Sequence, residues 1–384
     1  MGARHRTSSI SRVTIEVNWK RIRATHRELG GDGRLILEFT SAVPVPTTLL
    51  DEAIVDEPFP LGQGPTNGGW LSTPSVAYLL LEADGYGGVE EWIQRLVDNL
   101  TAAGVSGVLT GARGSGRVPW AIGIEDHPFK FSASMCHQPL PVDGRPRLSW
   151  GAAPELKSAV VKHALDWALE GADPVKVWNR VSLRVDPAAA AAMTEFAMDA
   201  GSVVGVSGYN KSRQRVRRMN FFIPAVIELS EPCLDPLSWH EVVDGLRSEI
   251  LTAPRDNLML SQISPHGWGT RTAASGNGYI HDRHTMQRSP DVYAEWIPDP
   301  CGIQILTQAH LAKASDLSGW SLTKLDPNHW LVEANDLAAW YATPIGPFDQ
   351  HRPDLVEKAR TDFGDMILTR ERALALGIRK PTDP

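Results

Sequence analysis

Three histidines in the second half of the chain are suited to metal or acid–base chemistry. His266 is followed by His281 and His284, and the last two form a His-x-x-His pair. Neutral imidazoles ligate transition metals, and a histidine oriented by a second group acts as a general base. The loop 266–284 is therefore a candidate metal site or hydrolase site. Residues three apart in a strand point to opposite faces, so a plain polar loop is the alternative interpretation.

A run of basic residues between positions 211 and 218 is the second candidate site. In a strand, alternate residues share a face, so three of its arginines would point the same way. Such a face binds phosphate or an acidic protein surface, or it protects an exposed strand from edge pairing. Aromatic residues for stacking bases are not interleaved in the run, which disfavours nucleic acid. The run consists of Lys211, Arg213, Arg215, Arg217 and Arg218.

Tryptophan is unusually common, with 13 residues against nine phenylalanines and six tyrosines. Its large apolar body and single N–H group suit both cores and binding surfaces. Four tryptophans stand in loop-like contexts and are predicted to line an interface or pocket. These are Trp70, Trp268, Trp320 and Trp330.

The familiar nucleophile and nucleotide motifs fail on inspection. The segment 205–209 lacks the final glycine of a G-x-S-x-G elbow, because Tyr209 stands there. Cys136 and His137 are adjacent, and adjacent side chains in a strand point apart. The chain has no G-x-x-x-x-G-K-[ST] phosphate loop. No cofactor is expected.

Composition and charge place the chain among ordinary globular proteins. Hydrophobic residues make up 42% and charged residues 22%, and the formal net charge is −7. The charge is spread evenly, which argues against binding nucleic acid through bulk positive charge. Three widely spaced cysteines indicate a reducing compartment, and no apolar run reaches the ~20 residues that span a bilayer. We therefore expect a cytoplasmic protein without a membrane partner.

The most regular pattern lies in the middle of the chain. It reads β-α-β-β-α-β, with strands at 180–185, 202–207, 216–229 and 257–263 and helices after Asp186 and at 237–251. This order predicts an α+β fold with a ferredoxin-like split βαβ unit, in which both helices cover one side of four strands.

Four regions follow from this interpretation. Residues 1–12 are predicted to be a disordered tail, and 13–150 an N-terminal α+β domain. A β-α-β-β pattern at 76–124 suggests a degenerate second unit there, and 126–150 is predicted to be irregular. The ferredoxin-like domain takes 151–265, and 266–384 forms a mixed α/β region.

Three functional hypotheses remain open. The first is a binding protein with a protein partner and no chemistry of its own, of which an immunity or antitoxin role is one example. The second is a hydrolase that uses the loop 266–284, with or without a metal. The third is a nucleic-acid binder that uses the run 211–218. Fold alone does not decide among them.

Overall fold

The computed structural model describes most of the chain. The described residues are 14–28, 34–41, 43–45, 49, 53, 66–73, 75–82, 87–112, 130–138, 140–142, 145–149, 154–178, 182–199, 204–222, 226–233, 235–265, 290–342 and 353–377. They form a mixed α+β protein. The chain divides into two compact units, residues 1–116 with 178–183, and residues 117–177 with 184–384. The sequence-based boundaries at 150 and 265 stay predictions.

The first unit contains a five-stranded sheet and two longer helices. The sheet order is β1-β5-β2-β4-β3, and β1 runs parallel to β5 while the other pairs are antiparallel. Its elements are β1 (Ile15–Val17), α1 (Trp19–Glu28), β2 (Arg34–Ser41), β3 (Thr66–Ser72), β4 (Val76–Glu82), α2 (Val89–Ala102) and β5 (Gly107–Gly111).

A ten-stranded sheet is formed by strands from residue 130 onward. Its strand order is β10-β9-β11-β12-β13-β6-β14-β15-β17-β16, and β7 and β8 form a separate pair. The strands are β6 (Lys130–His137), β7 (Leu140–Val142), β8 (Arg145–Ser149), β9 (Val175–Trp178), β10 (Ser182–Val185), β11 (Val204–Asn210), β12 (Arg215–Phe222), β13 (Val226–Pro232), β14 (Leu258–Ser264), β15 (Ile303–Thr307), β16 (Trp320–Lys324) and β17 (His329–Ala334).

The helices of the second unit differ widely in length. They are α3 (Pro154–Leu169), α4 (Pro187–Asp199), α5 (Trp239–Thr252), α6 (Gln308–Leu311), α7 (Leu337–Tyr341), α8 (Pro353–Phe363) and α9 (Arg370–Ala375). Among the helices that the described residues form, none combines the length and apolar character needed to cross a bilayer.

Helices α3 and α5 lie against the same face of the ten-stranded sheet. On β12, Arg217 donates from Nη1 to the Trp167 carbonyl of α3 over 3.1 Å. On β17, the Glu333 carboxylate accepts from Arg247 of α5 over 2.6 Å. Paired residues on the intervening strands link these two positions, and along each strand the linking residues are an even number of positions apart. Side chains an even number of positions apart share a face, so both positions lie on the same face of the sheet. We call it the helical face.

Strand β6 lies between β13 and β14, two strands that come later in the chain. It pairs antiparallel with β13 on one side and β14 on the other. Strands β13 and β14 are therefore parallel to each other, and α5 connects them. The sheet order places β9 between β10 and β11 in the same way, with α4 as the connection.

Several sequence-based predictions need correction. Residues 126–150 are not irregular, since β6, β7 and β8 lie there. The prolines around this stretch concealed the short strands. The predicted strand 216–229 is two antiparallel strands, β12 and β13, because Pro224 interrupts the apolar run. Within the region predicted to be mixed α/β, residues Pro290–Ala294 form a 3-10 helix.

Candidate functional site

A line of polar side chains crosses five adjacent strands of the ten-stranded sheet. Asn220 of β12 pairs with Glu228 of β13, and Glu228 pairs with Ser134 of β6. Ser134 pairs on its other side with Gln262 of β14, which pairs with Gln304 of β15. Neighbouring strands lie ~4.8 Å apart, so this first polar row spans roughly 19 Å.

A second polar row runs beside the first. Ser207 of β11 pairs with Arg218 of β12, which pairs with Ser230 of β13. Ser230 pairs with Ser132 of β6, and Ser132 pairs with Ser264 of β14. On each strand that contributes to both rows, the two row members are two residues apart. The rows are therefore separated by roughly 7 Å.

The two polar rows point away from α3 and α5. Successive side chains of a strand point to opposite faces. Residues between the row members, such as Ala133, Leu229 and Ile263, therefore point toward the helical face. On the side of the first row away from the second, the next positions are apolar, with Val226 opposite Cys136 and Cys136 opposite Leu260. The polar area is a bounded patch.

Burial sets these residues apart from an ordinary polar sheet surface. Gln304 and Ser207 are 0% exposed, Gln262 and Ser132 are 1% exposed, and Asn220 is 6% exposed. The other row members are also buried except Arg218, which is half-buried. Buried polar groups in proteins are nearly always hydrogen-bonded, because an unpaired one loses its hydration without compensation.

Five members of the polar rows nevertheless carry a buried polar atom without a hydrogen-bond partner among the described residues. In the first row these atoms are Asn220 Oδ1, Gln262 Oε1 and Gln304 Nε2. In the second row they are Ser132 Oγ and Ser207 Oγ. Each such group costs ~1–3 kcal/mol when nothing compensates for its lost hydration. All five of these atoms lie on one patch of the sheet.

The Gln262 end of the first row is held by hydrogen bonds and an ion pair. Gln262 Nε2 donates to the Asp299 carbonyl over 2.6 Å and to Gln304 Oε1 over 3.1 Å. The Asp299 carboxylate accepts from Arg360 of α8 through Nε and Nη2, over 2.9 and 2.8 Å. Both ionic side chains are 8% exposed. This support fixes the orientation of the Gln262 amide.

The other end of the polar rows carries both signs of charge. Asn220 Nδ2 donates to Glu228 Oε1 over 3.4 Å, which orients the Asn220 amide oxygen away from that contact. Arg218 lies one position along in the second row, diagonal to Glu228. Diagonal neighbours across a strand pair are within reach of long side chains.

The predicted basic run divides between the two faces of β12. Arg215 and Arg217 lie on the helical face, whereas Arg218 lies on the opposite face in the second polar row. Lys211 and Arg213 lie in the exposed turn before β12, so the prediction that Arg213 shares a strand face with Arg215 and Arg217 is wrong. Whether the run binds a partner stays a prediction.

Acidic side chains on the helical face pair with the arginines of the run. Glu231 forms an ion pair with Arg215, whose Nε lies 2.6 Å from Oε1, and Glu170 accepts a hydrogen bond from Arg217 Nη1 over 2.6 Å. Arg217 lowers the pKa of Glu170, whereas burial raises the pKa of Glu231 against the effect of both arginines. These positive charges are largely compensated within the protein, which weakens the case for a phosphate site.

The tryptophan and histidine candidates have mixed outcomes. Trp320 is buried, with its ring 4.7 Å from that of Phe363, and its Nε1 donates to Asp362. Trp330 is half-buried on β17, with Lys324 Nζ 5.5 Å from its ring centre. Trp70 belongs to β3, and its role stays a prediction. The remaining candidates lie outside the described residues, and their roles also stay predictions. These are His266, Trp268, His281 and His284.

Two other histidines, His137 and His310, are buried, and their burial favours the neutral imidazole. Burial lowers the pKa of His137 to about 4 and that of His310 to about 3. His310 Nδ1 accepts the Thr307 backbone N–H over 3.0 Å and so belongs to a helix cap. Neither is placed to take up a proton near neutral pH.

Cysteine and metal chemistry find little support in the part of the chain that is described. Cys136, Cys233 and Cys301 are free and buried. Burial raises the pKa of the Cys136 thiol well above its usual range and that of Cys233 to about 11, which disfavours the nucleophilic thiolate. Within the described residues, no three His, Cys, Asp or Glu side chains converge as a metal site requires.

Comparison with known proteins gives no match to a family model, to a curated protein or to a solved structure.

The polar rows were not recognised in the sequence, although a weak signal was there. In β6 Ser132 and Ser134 flank an alanine, and in β14 Gln262 and Ser264 flank an isoleucine, so part of each strand alternates polar and apolar residues. That pattern ordinarily indicates a solvent-exposed strand face. These strands differ from a solvent-exposed strand because their side chains are buried on both faces of the sheet. That burial depends on tertiary structure, which the local sequence does not show.

Proposed function

We propose that the chain is a binding protein that holds a small polar ligand against the two polar rows, without covalent chemistry of its own. The observation that carries this proposal is the group of five buried polar atoms that find no partner within the described part of the chain, all on one bounded patch. Binding sites enclose their ligands and present a few fixed polar groups that determine specificity. A bound ligand would compensate the hydration that these atoms have lost.

The proposal keeps the expectation of a binding protein without its own chemistry, but it places the site at the two polar rows instead of the run 211–218. Three arginines of the run, Arg213, Arg215 and Arg217, are paired with Glu170 or Glu231, so a nucleic acid or an acidic protein would compete with internal ion pairs. The hydrolase alternative rests on histidines outside the described residues. The buried free cysteines support a reducing compartment, and a cytoplasmic location belongs to the proposal.

A ferredoxin-like origin of the scaffold is also part of the proposal. The crossover β13-α5-β14 encloses β6, and β10-α4-β11 is arranged around β9 in the sheet order. Split β-α-β crossovers are the building units of the ferredoxin-like fold. We propose that the ten-stranded sheet joins two such units, with helices on one face and the ligand site on the other.

A screen of melting temperature tests the binding function. The full chain is heated with a panel of monosaccharides, nucleosides, free amino acids and small carboxamides. We expect at least one compound to raise the melting temperature, because a ligand that binds the folded state stabilises it. The same compound should have no effect on Gln304→Leu, which removes an unpaired Nε2 while Gln262 keeps its bond to Asp299.

A matched control separates loss of binding from loss of a glutamine. Gln308 lies just after β15 and is exposed. Gln308→Leu should respond to the ligand as the wild type does. The proposal fails if no compound stabilises the wild type, or if Gln304→Leu responds equally well.

A further inference from the structure

The end of the first polar row at Gln262 and Gln304 offers one hydrogen-bond acceptor and one donor side by side. Gln262 Nε2 is committed to the Asp299 carbonyl and to Gln304 Oε1, over 2.6 and 3.1 Å. Because the Asp299 carbonyl accepts only, it requires the NH₂ group of Gln262 at that position. The orientation of both amides follows, since Gln304 must then present its oxygen to Gln262.

Two amide atoms remain after these bonds are counted. Gln262 Oε1 is an acceptor, and Gln304 Nε2 carries two N–H donors. Both are buried, and neither has a hydrogen-bond partner in the portion of the chain that the structure describes. A ligand that satisfies them must donate to one and accept from the other.

The charges around the polar rows compensate one another. Asp299 and Arg360 form a buried ion pair beside Gln262, with both side chains 8% exposed, and Arg360 also binds the exposed carboxylate of Glu357. In the rows themselves, Glu228 and Arg218 carry opposite charges on diagonal positions. An anion or cation placed at the glutamine pair would meet only neutral amides and hydroxyls of the rows, and a buried charge without a counter-charge is strongly unfavourable.

We infer that the ligand presents an uncharged, planar amide-type edge to Gln262 and Gln304, as a carboxamide or the base of a nucleoside does. Such an edge places an N–H donor beside a carbonyl or ring-nitrogen acceptor, which complements the two free atoms. This inference rests on the proposed function and specifies the chemistry at one end of the same site.

Titration calorimetry on the full chain with matched probes tests it. The first pair is nicotinamide and nicotinate, which differ in the amide and its charge. The second pair is uridine and uridine 5′-monophosphate, which share a base and differ in the phosphate. Nicotinamide represents a carboxamide and uridine a nucleobase, so the two arms identify the source of the edge.

We expect the neutral member of at least one pair to bind at least tenfold more tightly than its charged counterpart. Gln304→Leu should weaken that binding at least tenfold, and Gln308→Leu should leave it unchanged. If the charged members bind equally well and still require Gln304, the binding function stands and the uncharged edge is wrong. If a sugar stabilises the wild type but neither neutral probe binds, the amide-type edge is wrong. If no compound of any class binds, both proposals fall.

Discussion

His163 of α3 and Glu249 of α5 join the two helices that cover the sheet. The imidazole Nε2 lies 3.1 Å from Glu249 Oε2 and 3.1 Å from the Glu249 carbonyl oxygen. The side-chain hydrogen bond with Glu249 raises the pKa of His163 despite partial burial. The contact therefore stabilises the protein most when His163 is protonated.

The His163–Glu249 contact predicts a pH dependence of stability. A histidine whose pKa is raised on folding contributes fully below its unfolded pKa of ~6.5 and loses this contribution as the pH rises through the folded value. We expect urea unfolding to show a fall in stability across that window, and a smaller fall in Glu249→Gln. Glu91→Gln, at an exposed helical ion pair, should leave the pH profile unchanged. Identical profiles for the wild type and Glu249→Gln would contradict this account.

Three buried serines of one sheet should respond in opposite ways to replacement by alanine. Ser132 Oγ and Ser207 Oγ have no hydrogen-bond partner among the residues that the structure describes, whereas Ser261 Oγ donates to the Ser134 carbonyl over 2.8 Å. In the ligand-free protein, Ser132→Ala and Ser207→Ala should each raise the free energy of unfolding by about 1 kcal/mol, and Ser261→Ala should lower it by a similar amount. Chemical denaturation measures all three. Destabilisation by Ser132→Ala as large as by Ser261→Ala would mean that the polar rows are internally satisfied.

The Asp299–Arg360 ion pair predicts a large effect from a single substitution. Arg360→Met leaves the Asp299 carboxylate buried without its main partner, which should cost about 3–5 kcal/mol of unfolding free energy. Replacing both residues by apolar ones should cost less than Arg360→Met alone. Lys358→Met breaks an exposed pair with Asp362 on the same helix and should cost under ~1 kcal/mol. Equal losses for Arg360→Met and Lys358→Met would show that the pair is not desolvated.

Gly208 allows α3 to approach β11 closely. A Cβ at this position would lie 2.1 Å from the Ala168 carbonyl oxygen. Gly208→Ala should therefore destabilise the protein by about 1–3 kcal/mol, the usual cost of overpacking. A Cβ added at Gly245 of α5 would meet no atom of the described residues within 4 Å, so Gly245→Ala should stabilise by about 0.5–1 kcal/mol. Thermal unfolding of both variants gives the comparison, and a stable Gly208→Ala protein would exclude this close approach.

The amphipathic helices could be predicted from the sequence because their signal is local. In α2, the buried residues include Trp92, Ile93 and Leu96, which follow the spacing of one helical face. The start of α4 after Asp186 and Pro187 was likewise recognisable, and Asp186 Oδ1 accepts the Ala189 N–H over 2.8 Å.

The polar rows could not be predicted because their members come from separate strands. Ser134 and Gln262 meet only through the register of β6 with β14, and register depends on the whole sheet. The sequence also contains no signal that β6 enters between β13 and β14. Local pattern indicated the elements, whereas partners distant along the chain determined the site.

The central position of β6 has a consequence for biosynthesis. Ser134 and its neighbour Gln262 are 128 positions apart along the chain. At a translation rate of ~5–20 residues per second, β6 leaves the ribosome roughly 6–26 s before β14 is complete. The edge of β6 that pairs with β13 gains its partner earlier, whereas the edge that pairs with β14 stays open for the whole interval, and unpaired edges invite association with other chains. Slower elongation lengthens this exposure, which ends when Ser264 has been added and β14 can pair with β6.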